Sequence, residues 1–327
     1  MIGIRFILLF VLALCAFVSI GVGHAALSWS DLPSIFSGSA SIAYETIFFE
    51  LRLPRLLVGI LVGMALGISG AAMQGLLRNP LAEPGVIGVS GTAGLGAVVV
   101  FYSGIAGVAT YILPLGGMLG ALLAVALLYG LTRRGASTQT LILAGVAINA
   151  FAGAVTALVL NLSSNPFAAY EIVFWLMGSL TDRSIQHVYL CALPIALGLV
   201  LVLSAGRHLD ALTLGEMTAK SLGVNLARLR FQIIVGTALM VGAAVAVSGM
   251  VGFVGLVVPH ILRPWFGHRP SRLLFWSGVG GAIMVLLADM VVRWVPTLVE
   301  LKLGVVTAMF GAPFFLVLIQ RLRRTTN

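Results

Sequence analysis

Residues 70–89 read Gly70-Ala-Ala-Met-Gln-Gly-Leu-Leu-Arg-Asn-Pro-Leu-Ala-Glu-Pro-Gly-Val-Ile-Gly-Val89. The first part ends one long apolar run and the last part opens another, with Arg78, Asn79, Glu83 and two prolines between them. Each proline withholds a backbone donor and disfavours helix at the residue before it, so the chain must turn at 78–84. A chain that leaves one long apolar helix, turns over a short polar segment and enters another is crossing a membrane.

Composition makes the same point for the whole chain. Of 327 residues, 60% are apolar and 9% charged, whereas a soluble domain carries roughly a quarter charged residues. Apolar runs separated by charge or Pro/Gly punctuation fall near 6–23, 54–74, 86–103, 110–131, 139–160, 188–205, 229–249, 251–266, 273–295 and 304–320. A span needs ~20 residues to cross ~30 Å of hydrocarbon. The reading is an all-α integral membrane protein of about ten transmembrane helices, a single domain over 1–327. The eighth run is the least regular, because Pro259, His260 and Arg263 interrupt it.

With the amino terminus in the cytoplasm, fourteen of the nineteen lysines and arginines fall in inner connections. Arg52, Arg55, Arg183, Arg293 and Lys302 fall outside, and this asymmetry supports the orientation. The net charge of +9 is therefore mostly a topology signal. No basic run is interleaved with stacking aromatics, so nucleic acid is not an expected partner. Arg5 ahead of the first run, with small residues at His24-Ala25-Ala26, imitates a signal peptide. The run is long for one, and ten spans with both ends inside require that it be retained.

Cys15 and Cys191 sit inside apolar runs, as packing residues rather than a disulfide or metal pair. The five histidines are scattered, with no i, i+4 pair and no nearby acid, so neither a metal site nor a cofactor is expected. Lys220-Ser221 has the last residues of a phosphate-binding loop, but Leu214 and Ala219 stand where its glycines belong. ATP hydrolysis would need a separate subunit, and no catalytic constellation marks the chain as an enzyme. Gly59, Gly63 and Gly67 share one helix face, a spacing that lets two helix backbones approach closely in lipid.

Met73-Gln74, Arg78-Asn79-Pro80-Leu81-Ala82-Glu83-Pro84-Gly85 and Gly88-Val89-Ser90 resemble the signature of the FecCD-type permease family, the iron-chelate, haem and cobalamin permeases of ABC importers. Gly255-Leu-Val-Val-Pro-His-Ile-Leu-Arg263 resembles a second signature of that family. Leu287-Ala-Asp-Met-Val-Val-Arg293 and Gly304–Phe315 resemble its last two helices. The matches run from about 51 to 320. The resemblance implies a type II ABC importer permease fold in the bacterial inner membrane, without a cofactor. It implies as partners a second permease subunit, identical or a sister, two cytoplasmic ATPase subunits and a periplasmic substrate-binding protein. The implied cargo is a ferric siderophore first, haem or cobalamin next. Gln74, Asn79, Pro80, Glu83 and Pro84, with Pro259 and His260, become gate or hinge residues. One departure is Glu300-Leu-Lys-Leu-Gly304, where Lys302 replaces the family's usual proline and should alter the loop's shape.

The long inner connection from Arg207 to Arg230 has apolar residues at helix-like spacing between Asp210, Glu216 and Lys220. Gly223 can stop that helix in a left-handed cap, and Asn225 can begin a second short helix over 226–230. The segment reads as a two-helix knob or an amphipathic interfacial stretch. It resembles the coupling loop of ABC permeases at Gly215, Glu216, Ala219, Leu222 and Gly223, which implies docking to the ATPase.

Arg52 and Arg55 begin the second span and Arg293 ends the ninth, so all three fall at external helix ends. They either anchor helices at the headgroups or, as the resemblance implies, dock the binding protein through its glutamates. The rival class is a self-contained secondary transporter or channel, which usually needs ionisable residues at membrane depth. Only Asp289 lies clearly within a span, where it can be taken by backbone groups or by Arg293 at i+4.

Overall fold

A computed structural model describes the chain except for residues 1, 24–26, 28, 108, 110, 133–137, 164, 296–299 and 327. Arg133 and Arg134 of the charge argument, and His24-Ala25-Ala26, lie outside the described residues. The helices are α1 (Ile2–Gly21), α2 (Leu32–Phe36), α3 (Ile42–Thr46), α4 (Leu53–Leu77), α5 (Val89–Tyr102), α6 (Ile112–Thr132), α7 (Thr138–Asn161) and α8 (Pro166–Leu176). They continue with α9 (Ile185–Ser204), α10 (Gly206–Leu212), α11 (Glu216–Ser221), α12 (Leu226–Ser248), α13 (Val254–Leu262), α14 (Pro270–Trp294) and α15 (Leu303–Thr326).

Every expected run falls on a helix. Among the described residues, seven helices are long and apolar enough to span: α1, the continuous Ile42–Leu77, α6, α7, α9, α12 and α14. The other three are short. Helix α5 has 14 residues, the apolar part of α15 is Leu303–Leu318, and α13 has nine. Nine residues rise about 14 Å, under half the hydrocarbon thickness. The expected span 251–266 is thus mostly not helix at its start: 249–253 is irregular, and Phe253 takes a left-handed conformation at φ 67°.

Two further differences have local causes. The second span was expected at 54–74, yet the helix starts at Ile42 and reaches its 36 residues through a π-helical turn at Ile47–Arg52. At ~1.5 Å per residue that is about 54 Å, so it projects beyond the bilayer on the outer side. Helix α8 had no counterpart in the reading, although its start carries a signal: Asn165 Oδ1 accepts from Phe167 N at 3.0 Å and Pro166 occupies the first position.

Helices α4, α12 and α14 are the buried centre, while α1 and α7 are largely exposed. The α4–α14 contact is set by the glycine face. A Cβ at Gly63 would stand 2.4 Å from Gly281 O, and one at Gly67 would stand 2.0 Å from Ser277 O. The two backbones touch. Cys15 and Cys191 are buried free cysteines.

Candidate functional site

The hinge is fastened to α13. Pro259 has no N–H to give to Gly255 O, four residues back, and Gln74 Nε2 donates to that oxygen and to Leu256 O, each at 3.3 Å. Gln74 is buried and its Oε1 accepts from Arg263. Glu83 Oε1 accepts from Phe253 N at 3.0 Å, at the left-handed residue that opens α13. Burial pushes the Glu83 carboxyl above the ordinary carboxylate range, and the Phe253 N–H draws it part of the way back. Gly70 packs on Gly255. Two motifs some 170 residues apart in sequence therefore form one unit.

Not every expected hinge residue joins this unit. Asn79 and Pro80 form the turn itself, with Arg78 left-handed at φ 48° and Asn79 Oδ1 accepting from Leu81 N at 2.9 Å. Pro84 starts a short 3₁₀ turn, Pro84–Ile87, that Gly88 ends at φ 80°. His260 stands edge-on to Phe314 at 6.1 Å, and its buried Nδ1 has no hydrogen-bond partner.

Beside the unit lies a cavity of about 550 Å³. The hinge contributes Glu83, Pro84 and Gly85, α5 contributes Ser90 and Gly91, α7 contributes Asn149, and the irregular segment contributes Met250, Val251 and Gly252. Its polar groups are an amide, a hydroxyl, backbone and one carboxylate, Glu83, already bonded to Phe253. Of this lining the sequence singles out Glu83 and Pro84, as gate or hinge residues, and not Ser90, Gly91, Asn149 or Met250–Gly252. The available signal was Asn149, a polar amide in the middle of the apolar run 139–160 and exposed on α7.

At the end carrying Arg78 and Arg263, the connection 207–230 folds as two short helices, α10 and α11, separated by Gly215 at φ 102°. Gly223 is left-handed at φ 84°, with Gly223 N bonded to Lys220 O and Val224 N to Ala219 O. Asn225 Oδ1 accepts from Arg228 N at 3.0 Å. The helix it caps is no second short helix, however, but the start of the long α12, which continues straight into the bundle because no breaker follows 230. Ala219 is fully buried and Glu216 pairs with Arg230 at 2.9 Å, which presses α11 on α12. Leu214, Met217 and Leu222 are exposed at the tip.

At the opposite end Arg52, Arg55 and Arg293 come together, each with partners inside the chain. Asp289 lies between two guanidiniums, Arg55 at 2.8 Å and Arg293 at 2.9 Å. Arg293 also donates to Ser19 O at 2.9 Å and Val22 O at 2.6 Å, and Arg52 to Ile20 O, all at the end of α1. Glu300 binds Arg55 and accepts from the Thr181 hydroxyl. Burial would raise the Glu300 carboxyl, but these hydrogen bonds and the charges of Arg55 and Arg293 outweigh it and hold it below the ordinary glutamate range. The Glu300–Arg55 pair is therefore charged, and stabilising, above that range and loosens only as pH falls further. Beside it, Lys302 Nζ lies over the Phe174 ring at 5.2 Å, and Leu303 N and Gly304 N bond to Gly178 O and Met177 O. The loop that lacks its proline is tied by these contacts instead.

The model of the FecCD transport family matches residues 10–321. The chain is 38% identical over 327 residues to the hemin transport system permease protein HmuU of Yersinia pestis, covering 99% of this chain and 96% of that one. It is 41% identical over 293 residues to the vitamin B12 import system permease protein BtuC of Vibrio cholerae, covering 88% and 86%. A solved structure, described as an inward-facing conformation of a metal-chelate type ABC transporter, matches with a TM-score of 0.88 at 32% identity over 98% of this chain and 100% of that one. With the family matched over nearly its whole length and relatives named as permeases, this chain belongs to the FecCD transport family as a multi-pass membrane permease subunit, not an enzyme.

Proposed function

We propose that the chain is the membrane-crossing subunit of an importer in a bacterial inner membrane, driven by two separate cytoplasmic ATPase subunits and fed by a periplasmic binding protein. Its cargo is an iron chelate, a ferric siderophore first and haem or cobalamin next. The observation that carries this reading is the 550 Å³ cavity at the meeting of the hinge and the α12–α13 break. Irregular backbone at membrane depth is tolerated where it lines a cavity and not where it meets lipid, and transporter sites are commonly built from such interrupted helices. Leu143, Phe151 and Leu158 of α7 and Met309 and Phe310 of α15 are exposed on the single chain. A second permease subunit, identical or a sister, laid on these faces closes the cavity into a path. ATP-driven movement of the 207–230 knob reaches that path through α4 and α13.

Reconstitution in liposomes with the ATPase and binding protein tests the reading. ATP-dependent uptake of a labelled chelate is expected, and Asn149→Trp, which fills the cavity, should lower it at least tenfold while assembly is kept. Uptake by the chain alone without ATP would favour the self-contained transporter, and full uptake by the variant would remove this cavity from the path.

The knob makes a sharper demand on Gly223. A Cβ there meets nothing within 4 Å, so Gly223→Val tests backbone alone; a β-branched residue held left-handed costs about 1–2 kcal/mol. ATPase association or coupled hydrolysis should fall severalfold while the permease still inserts. Normal pull-down with normal uptake would remove the coupling assignment from Gly215, Glu216, Ala219, Leu222 and Gly223.

For Arg52, Arg55 and Arg293 we propose docking by exchange, with a binding-protein carboxylate displacing Glu300 from Arg55 while Asp289 keeps the guanidiniums in place. Arginine suits such bidentate contacts. Glu300→Gln, which frees Arg55, should then tighten association with the binding protein about threefold or more, in a salt-sensitive on-rate. An unchanged or weaker association leaves the three arginines as anchors of α1, α4 and α14.

A further inference from the structure

At the end of α4 that carries the knob lies a separate cavity of about 170 Å³. Arg78, Arg263 and His268 line it together with Gln74 and Thr213, over an apolar floor from α4 and α14. Among the described residues, no acidic one lines it. Among the described residues, none of these three basic side chains forms an ion pair with a carboxylate. Arg263 is half-buried, and its guanidinium is bonded to the neutral Gln74 Oε1. The acids nearby in sequence are occupied elsewhere: Asp210 accepts from Ser271 N at 2.8 Å and from its hydroxyl, and Glu216 pairs with Arg230.

Arg263, half-buried with a neutral amide as its partner, and Arg78 and His268, exposed at the rim, gather basic groups around one recess without a counter-charge, which favours an anion there. The guanidinium fork matches phosphate oxygens bidentately. At about 170 Å³ the recess is large enough to admit a group the size of phosphate. Basic recesses between helices on the cytoplasmic side are also where acidic lipid headgroups bind. We propose that this cavity binds a phosphate-class anion, either the headgroup phosphate of an anionic phospholipid or free inorganic phosphate. Such an anion touches three segments at once: Arg78 at the end of α4, Thr213 at the end of α10, and the α13–α14 corner at Arg263 and His268. It fastens the knob to the hinge, and this holds whatever the cargo.

The test uses the purified full chain. Inorganic phosphate is titrated into delipidated protein against chloride at matched ionic strength, and retained lipid is weighed by native mass spectrometry after reconstitution in phosphatidylcholine with or without phosphatidylglycerol. Arg78→Gln with Arg263→Gln should weaken binding at least tenfold, while Arg228→Gln, which removes an exposed charge outside the cavity, should leave it unchanged. Arg78→Gln alone, at an exposed position, serves if the double variant does not fold. Saturable phosphate binding lost in the variant assigns the free anion; selective retention of phosphatidylglycerol without phosphate binding assigns the headgroup. Equal binding in all variants, or no binding of either probe to the wild-type chain, overturns the proposal. Loss of ATPase association alone, without any anion binding, overturns it too and gives the cations to a partner's carboxylates.

Discussion

Asp289→Leu should cost the folded permease about 3–5 kcal/mol, the loss expected when one partner of a buried ion pair is removed and the charge opposite is left uncompensated. Here two guanidiniums are orphaned at once. Arg55 and Arg293 reach the Asp289 carboxylate at 2.8 and 2.9 Å, and their side chains are only 14% and 6% exposed. Solvent therefore replaces little of what is lost. Arg55 keeps Glu300, so its share is the smaller; Arg293 keeps the carbonyls and hydroxyl at the end of α1 and the backbone oxygen of residue 289, none of them charged. Denaturation of the purified protein should show the drop, with α1 detaching first. Asp289→Asn keeps an acceptor without the charge and should lose less, about 1–3 kcal/mol. A change under ~1 kcal/mol for Asp289→Leu would mean that the arginines find other acceptors.

The same pair of variants separates two mechanisms. A secondary transporter needs an intramembrane acid free to bind and release an ion, and Asp289 is the acid the sequence offers within a span. Gripped by two guanidiniums, it holds α4 and α14 together at their outer ends. Uptake that remains ATP-dependent in Asp289→Asn fits that task. Loss of ion coupling in an otherwise stable variant would return Asp289 to the path.

Much of this architecture is legible in one sequence, because lipid makes helix obligatory wherever the chain crosses and leaves length and polarity as the main variables. The run at 229–249 became α12 and the run at 273–295 became α14 almost residue for residue. Gly63 and Gly67 announced a close helix contact, since small residues at that spacing have few other uses in a helix interior, but not that α14 would be the partner. What was hidden were features that polarity does not encode. Phe253 gives no sign that it will be left-handed, so the break at 249–253 reads as apolar span. Helix α8 is short and amphipathic in no useful direction, and its only mark was the Asn165-Pro166 cap.

The site divides along the same line. Gln74 and Glu83 could be named from their motif, but the groups they bind, Gly255 O and Phe253 N, are backbone atoms that no side-chain pattern reveals. The convergence of Arg52, Arg55 and Arg293 followed from topology alone. Of their inward pairing only Arg293 with Asp289, at i, i+4, was legible; the bonds to α1 were not, because Ser19, Ile20 and Val22 offer carbonyls only once α1 is laid beside α14. The cavity at Asn149 needed the fold, since it brings together the stretches 83–91, 146–150 and 250–255, which are distant in sequence.

Gly70→Ala should lower uptake at least tenfold and destabilise the protein by about 1–3 kcal/mol or more, the range for overpacking a filled interior. A single methyl is enough because it lands on backbone: the added Cβ would stand 1.9 Å from Gly255 O and 2.4 Å from Gly255 Cα. Carbon prefers ~3.5–4.0 Å to its neighbours, so α13 must withdraw by well over an ångström, and no rotamer change relieves the clash. Withdrawal lengthens the Gln74 bonds to Gly255 O and Leu256 O, already 3.3 Å, past useful range and pulls Phe253 N away from Glu83. One methyl thus loosens all three fastenings between hinge and α13. Gly153→Ala is the matched control: its Cβ meets nothing within 4 Å, and in a helix interior alanine is favoured over glycine by up to ~1 kcal/mol in water. The two variants should differ in denaturation midpoint and in uptake; equal behaviour would mean that α13 slides freely over α4 and that the hinge does not depend on this contact.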